Sequence, residues 1–407
     1  MKSVKRLAKL LLAAAALASA FIMTGCWNSR ELNSLAVVTA MAIDKAANSD
    51  DYELSFQVVM PGELTNSGKA GNGYAPFSIY SVKSKTLFEG IRKASKQVPR
   101  QLFFSHVQVV ILGERIAQSG IKEIFDFFER SHEVRLTSMI LVAKNNTPGK
   151  LISAIVPLSP LEAEALLGAS EVSSKVWSES PVIGIDDAIR KLINPGAEPS
   201  ISGVKIVGDD AHIGKKQNLE QTRPPYHLEI SGVAMFREGK LVGWLENEKA
   251  QGYMLVANRT KGTVMNLSCE GEADGVALEV IKSKTKTEVT MNNGQAKVKI
   301  LVMAEGNVAE VKCGIALGKL SVLTKLEQEW GEATKANMRD AIAQAQAFQA
   351  DVFGFGVILQ RSHPKQWKKV KDNWGETFAE AEVNITFEGQ IQRGGMRGKS
   401  LLEKEKS

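Results

Sequence analysis

The stretch SLAVVTAMAID, residues 34–44, is apolar almost throughout and ends in a charge followed by the turn-rich ANSDD. An apolar run of strand length between such signals reads as a buried strand, which obliges the rest of the chain to supply partners and cover. YELSFQVVM (52–60) supplies the partner, as the second strand of a hairpin. Residues 61–76, rich in Gly, Asn and Ser, read as a long loop. FSIYSV resumes the sheet, and TLFEGIRKASKQV sets Leu87, Phe88, Ile91, Ala94 and Val98 at the spacing of a helix with one buried face. HVQVVILG, IKEIFDFFER and RLTSMILVAK continue the alternation of strand and amphipathic helix, which argues for a mixed α/β domain over residues 26–144.

Beyond 145 the texture changes. Short helical stretches between Pro and Gly breaks, the strand PSISGVKIVG and a polar run at 209–225 define a middle domain or subdomain, residues 145–225. A C-terminal α+β domain is expected over 226–393, with REGK turning between two strands and Asn293-Gly294 turning a long hairpin. Residues 325–350 carry the longest helical pattern, and AEVNITFEGQIQR closes as a strand. The tail, 394–407, is mostly Gly, Lys and Glu and reads as disordered. The fold class is therefore α+β, about three domains with mixed or antiparallel sheets flanked by helices.

Ahead of all this lies a leader. Lys2, Lys5, Arg6 and Lys9 precede a 14-residue apolar run, 10–23, broken only by Ser19. As a helix that run spans roughly 21 Å at ~1.5 Å per residue, short of a ~30 Å hydrocarbon core, so residues 1–25 read as a cleaved signal peptide. The cut site, Met-Thr-Gly-Cys, resembles a bacterial lipobox, in which the cysteine becomes residue one and carries S-diacylglycerol and N-palmitoyl groups. Cys26 is thus the expected lipidation site. One acyl chain holds only marginally at about 0.8 kcal/mol per buried CH₂, whereas two make a stable anchor.

Removing the leader leaves 382 residues, and four of the chain's six net positive charges leave with it. The remaining +2 gives no support to nucleic-acid binding. Cys269 and Cys313 are the only other thiols; an exported protein permits their oxidation, but spacing alone favours two buried free thiols over a disulfide.

No residues assemble into recognisable catalysis. His106, His132, His212, His227 and His363 are nowhere spaced as metal ligands on a helix. GDDAHIGKK fails as a phosphate loop, with five residues between its glycines and Lys216 where Ser or Thr belongs. Glu162 and Glu164 diverge on a helix and read as solvated surface. Lys282, Lys284 and Lys286 share a strand face that reads as a lysine-protected exposed surface. FGFG (353–356) reads as a strand passing close under the long helix, and Trp367, Val370 and Trp374 as one buried helix face. No catalytic, cofactor-binding or metal residue is expected, which favours binding or assembly over an enzyme.

Four stretches in order, GCWNSRELNSLAVVTAMAIDK, YSVKSKTLFEGIRKASKQVPRQLFFSHVQVVILGE, GVAMFREGKLVGWL and DVFGFGVILQRSHPKQWKKVKDNW, together with the closing strand, resemble the Ger(x)C family of spore germination lipoproteins. The resemblance implies a non-enzymatic C subunit of a nutrient germinant receptor, a mixed α/β lipoprotein without cofactor on the outer face of the spore inner membrane. Its implied partners are the integral A subunit and the polytopic B subunit, with no nucleic acid and no expected direct contact with the nutrient. Trp27, Arg30 and Glu31, within five residues of the lipidated sulfur, are candidates for docking on those subunits, Trp being suited to an interface. The alternative is a solute-binding lipoprotein serving a transporter, which calls for two α/β lobes around a ligand cleft.

Overall fold

The computed structural model describes residues 34–393 apart from 60–75, 132, 160, 216 and 270, together with Arg6, Lys9 and Leu11. The expected disordered tail lies outside the described residues. The first half is built on β1 (Leu35–Lys45), β2 (Tyr52–Val59), β3 (Phe77–Ser84), α1 (Leu87–Ala94), β4 (Gln101–Phe103), β5 (Val109–Leu112), α2 (Glu114–Ser119), α3 (Lys122–Arg130) and β6 (Met139–Ala143). There follow α4 (Pro148–Ile152), α5 (Glu162–Val176), α6 (Ile185–Leu192), β7 (Ser200–Gly208), β8 (Tyr226–Arg237) and β9 (Lys240–Leu245). These strands form one nine-stranded sheet in the order β3-β2-β1-β5-β6-β7-β8-β9, with β4 beside the start of β1.

The apolar run that opens the chain's folded part sits at the centre of this sheet. β1 pairs antiparallel with β2 and parallel with β5, and β5, β6 and β7 continue in parallel. Parallel strands have helices on both faces and so read as continuous apolar segments; every residue of β5 and β6 is buried. Alternate residues point to opposite layers. Val38, Ile43, Val110, Leu112, Ile140 and Val142 pack with α1, α2, α3 and α6. Ala40, Ala42, Val109, Ile111 and Leu141 face α4 and α5. Helix α1 starts where Thr86 accepts from the Glu89 amide at 3.1 Å while the Glu89 carboxylate takes the Lys85 amide at 2.9 Å, a reciprocal cap.

The segment 145–225 thus contributes β7 to the same sheet as residues 35–143, and β8 and β9 extend that sheet through residue 245. Helix α7 (Asn247–Val256) then leads to a second sheet of β10 (Thr263–Cys269), β11 (Glu272–Asn292), β12 (Gln295–Val311) and β13 (Glu382–Arg393). The β11–β12 hairpin turns at Asn293 and Gly294, with φ of 49° and 85°, and β8–β9 turns likewise at Glu238 and Gly239. Between β12 and β13 run α8 (Leu320–Ala347), α9 (Phe355–Ser362), α10 (Pro364–Val370) and α11 (Trp374–Ala379). Val298, Ile300 and Val302 of β12 share a core with Met338, Ala341 and Ile342 of α8.

Helix α7 is buried from Ala250 to Val256 because it lies between the two sheets. It crosses α8 so closely that a Cβ on Gly252 would stand 2.1 Å from the Asn337 carbonyl oxygen. A second seam joins Gly196 to Gly356, whose Cα atoms leave no room for a methyl, and the Val357 amide donates to the Gly196 carbonyl at 3.1 Å. FGFG is therefore not a strand: Gly354 takes φ of 78° and opens α9, and Gly356 is the small residue at the crossing. Asp351, 2% exposed, fixes this corner. Its carboxylate accepts from the Gly354, Phe355 and Gly356 amides at 2.8, 3.1 and 2.8 Å and from the Trp374 indole at 2.9 Å. Those amides are the otherwise unpaired donors of the first turn of α9. As expected, Trp367 and Trp374 are both buried, and their rings meet edge to face with centroids 5.4 Å apart.

Cys269 and Cys313 form a disulfide with Cα atoms 6.2 Å apart, which overturns the reading of two free thiols. The cause is register. Cys269 folds back opposite Glu272, the long hairpin brings Val311 opposite Val276, and the Lys312 amide then bonds to the Gly275 carbonyl at 2.8 Å. The bridge spans a sequence separation of 44, for which restriction of the unfolded chain gives stabilisation of about 4 kcal/mol at most. Reduction, or Cys269→Ser, is expected to lower stability by about 2–4 kcal/mol, read as the urea midpoint of tryptophan fluorescence. An unchanged midpoint would show that the bridge does not restrain the unfolded chain.

Candidate functional site

Cys26, Trp27, Arg30 and Glu31 lie outside the described residues, so the site they define is approached from the first described strand. Val37 of β1 packs with Val59, Phe77, Ile155 and Leu161 at the end of the sheet where β1 begins. From there the chain 156–159 and helix α5 enclose an apolar groove of about 710 Å³, walled by Val156, Leu158, Ala165, Ala169, Val172 and Leu228. Leu158 stands fully exposed at φ of 72°, a left-handed conformation costly for a branched apolar side chain. Val172, Val176 and Trp177 continue the exposed apolar surface along α5. Contiguous exposed apolar surface of this type marks a site of contact with protein or lipid.

The same helix, α5, carries a residue that sequence reasoning misplaced. Glu164 is exposed as expected, but Glu162 is 1% exposed, and neither of its carboxyl oxygens has a hydrogen-bond partner among the described residues. The buried stripe of α5 runs Glu162, Leu166, Ser170, Ser174 in steps of four, so polar residues occupy a face that apolar spacing would not reveal. Burial alone raises the Glu162 carboxyl well above its ordinary range. The folded chain therefore holds that proton where the unfolded chain releases it, and stability falls as pH rises from the ordinary carboxylate range towards the folded-state value.

The remaining motifs resolve into structure. His106 is exposed against the Phe103 ring, His212 lies 3.4 Å from Asp209, His227 and His363 belong to different halves, and His132 is outside the described residues. No group of three metal-ligating side chains occurs among the described residues. GDDAHIGKK forms a short turn in which Asp209 accepts from the Ala211 amide at 3.0 Å, with Lys216 outside the described residues. Lys282, Lys284 and Lys286 are exposed, as expected, and Lys282 pairs with Glu305 at 2.7 Å. No helix among the described residues is long and apolar enough to cross a membrane.

A three-layer mixed sheet joined through a buried helix to a four-stranded sheet with a long helix, without an assembled catalytic cluster among the described residues, defines a multidomain α/β protein with surfaces suited to association. Two family models match it in succession: the spore germination protein N-terminal domain over residues 28–206, and the spore germination B3/GerAC-like C-terminal domain over residues 231–395. The chain belongs to the Ger(x)C family of spore germination proteins. It is 29% identical to spore germination protein KC of Bacillus subtilis over 97% of this chain and 98% of that one. Spore germination protein B3 of the same organism is 22% identical over 93% and 96% of the two chains. Among solved structures, the crystal structure of the GerBC protein superposes with a TM-score of 0.52 at 22% identity, covering 86% of this chain and 96% of that chain, and has the same fold.

Glu162→Gln is expected to melt higher than the unaltered chain at pH 8, the difference shrinking as pH falls into the ordinary carboxylate range. Parallel melting curves from pH 8 to pH 4 check this. A constant difference across that range would mean that Glu162 does not carry the buried proton.

Proposed function

We propose that the chain is the C subunit of a nutrient germinant receptor, a non-catalytic lipoprotein anchored through diacylated Cys26 at the outer face of the spore inner membrane. It acts there with an integral A subunit and a polytopic B subunit in nutrient-triggered germination. The observation that carries this reading is the end-to-end match with germination proteins KC and B3, which leaves no large part of either chain unaccounted for. It favours this reading over a solute-binding lipoprotein.

The physical arrangement supports an anchored subunit. Leu35 lies nine positions after Cys26, a reach of about 30 Å at ~3.3–3.6 Å per residue. A lipid on Cys26 therefore keeps the start of β1, and the apolar groove beside it, close to the bilayer. Trp27, Arg30 and Glu31 lie on that tether and are proposed to contact the membrane subunits. The tether acts as a linker that raises the effective concentration of the folded part at the membrane, so weak contacts there suffice.

Cys26→Ser is expected to abolish incorporation of labelled fatty acid, move the protein out of the membrane fraction, and cut the nutrient-triggered germination rate at least several-fold. Fractionation and germination assays on variant spores check this. Membrane retention with continued labelling would contradict the anchor.

A further inference from the structure

The seam between the two halves holds a second concave site, independent of the groove and of the anchor. A cleft of about 690 Å³ opens between α6, the following 193–197 segment and α9. Its cations come from separate parts of the fold: Arg190 and Lys191 from α6, Arg259 from the chain leaving α7, and Arg361 from α9. Asp187 is the only acid among the residues lining the cleft, and its carboxylate is held by Arg190, which also takes Asp186 at 2.9 Å. The guanidinium groups of Arg259 and Arg361 have no ion pair or hydrogen bond among the described residues. Lys191 is half-buried, and its ammonium donates to Ser200 Oγ and to the Val352 carbonyl, both at 2.9 Å. Neither acceptor carries charge, and the Tyr253 hydroxyl is a third neutral partner of the same ammonium, so Lys191 brings a positive charge with no ion pair among the described residues to the cleft wall.

This is an unbalanced arrangement in a folded protein. Lys191 and Arg259 are partly removed from water, and charges so placed are ordinarily paired, because the desolvation cost is recovered only through a counter-charge; Arg361 adds a third, exposed cation at the rim. The buried Tyr253 hydroxyl, 2.7 Å from Ser200 Oγ, registers the excess. Burial pushes its phenol up, yet Lys191 and Arg259, with hydrogen bonds to Ser200 and Lys191, outweigh burial and hold it below its ordinary value. The Asp351 carboxylate makes no ion pair with these cations among the described residues; its oxygens accept instead from three amides and the Trp374 indole. Ile183, Ala188, Phe353, Val357 and Ile358 supply an apolar wall beside the cations.

We propose that this cleft binds a small molecule carrying a carboxylate or phosphate group, the anion held by Lys191, Arg259 and Arg361 and an apolar body lying against Phe353 and Ile358. The size falls within the ~300–1,000 Å³ of small-molecule sites, and its place between two parts of a fold is a preferred one. Because Lys191 belongs to the first half and Arg361 to the second, the ligand bridges the seam that Gly196 and Gly356 close. Occupancy therefore stabilises one arrangement of the halves.

The test is calorimetric titration of the mature, detergent-solubilised chain at low ionic strength, with inorganic phosphate in one arm and benzoate in the other, chloride serving as reference. Saturable binding of at least one probe is expected, the arm that binds more tightly identifying phosphate or carboxylate as the preferred group. Arg259→Gln/Arg361→Gln is expected to weaken that binding at least tenfold, while Lys284→Gln/Lys286→Gln, on an exposed strand face outside the cleft, leaves it unchanged. If the double arginine variant does not fold, Arg361→Gln alone, altering an exposed side chain, is expected to weaken binding several-fold. Absence of saturable binding in both arms, or equal binding by the cleft and strand variants, would overturn the proposal.

Discussion

The Asp351 carboxylate sets the geometry on which the rest of the molecule depends. A buried carboxylate is costly unless its lone pairs are filled, and here three amides of the opening turn of α9 and one indole fill them. Burial holds its carboxyl above its ordinary value, and the four hydrogen bonds offset only part of that cost. The same residue's carbonyl accepts from the Glu198 amide at 2.8 Å, which ties the start of α9 to the chain entering β7. One side chain thereby fixes the helix start, the Trp374 ring and the approach of the two sheets. The Gly196–Gly356 crossing follows from that approach, and so does the cleft above it.

Much of the fold was legible because it rests on local rules. The run at 34–44 is a central strand, legible from its strand length, its β-branched residues and the turn signals after it, and Asn293-Gly294 is a hairpin turn because both residues accept positive φ. Helix α1 followed from spacing; Trp367 and Trp374 are buried as expected, but on two successive helices, α10 and α11, and not on one helix face. What failed depended on register or tertiary cover. The Cys269–Cys313 bridge needs the bulged pairing of β10 with β11, Glu162 is buried by the packing of α5 on the sheet, and FGFG becomes a helix start because Asp351 caps it. None of these long-range partners can be read from neighbouring residues. The candidate site divides in the same way: Cys26 was named from a local motif, whereas the groove on α5 and the cationic cleft exist only once distant elements meet.

The two concave surfaces suit different tasks in a spore germination protein. The groove is apolar, lies by the end of the sheet where β1 begins, and carries Leu158 fully exposed; it suits contact with an apolar partner. The cleft is cationic and spans the seam, so it fits a soluble anion. On the reading proposed above, a lipid-anchored subunit that binds an anion in the cleft would have its two inputs joined through the buried helix α7.

The central claim is that this chain works at the spore inner membrane together with integral membrane subunits. Crosslinking in intact spores, followed by solubilisation of the inner membrane and affinity capture of this chain, tests it most directly. The account predicts co-capture of two integral membrane proteins, one of them polytopic, in amounts comparable to the bait. Capture of the chain alone, or with soluble proteins only, would contradict it.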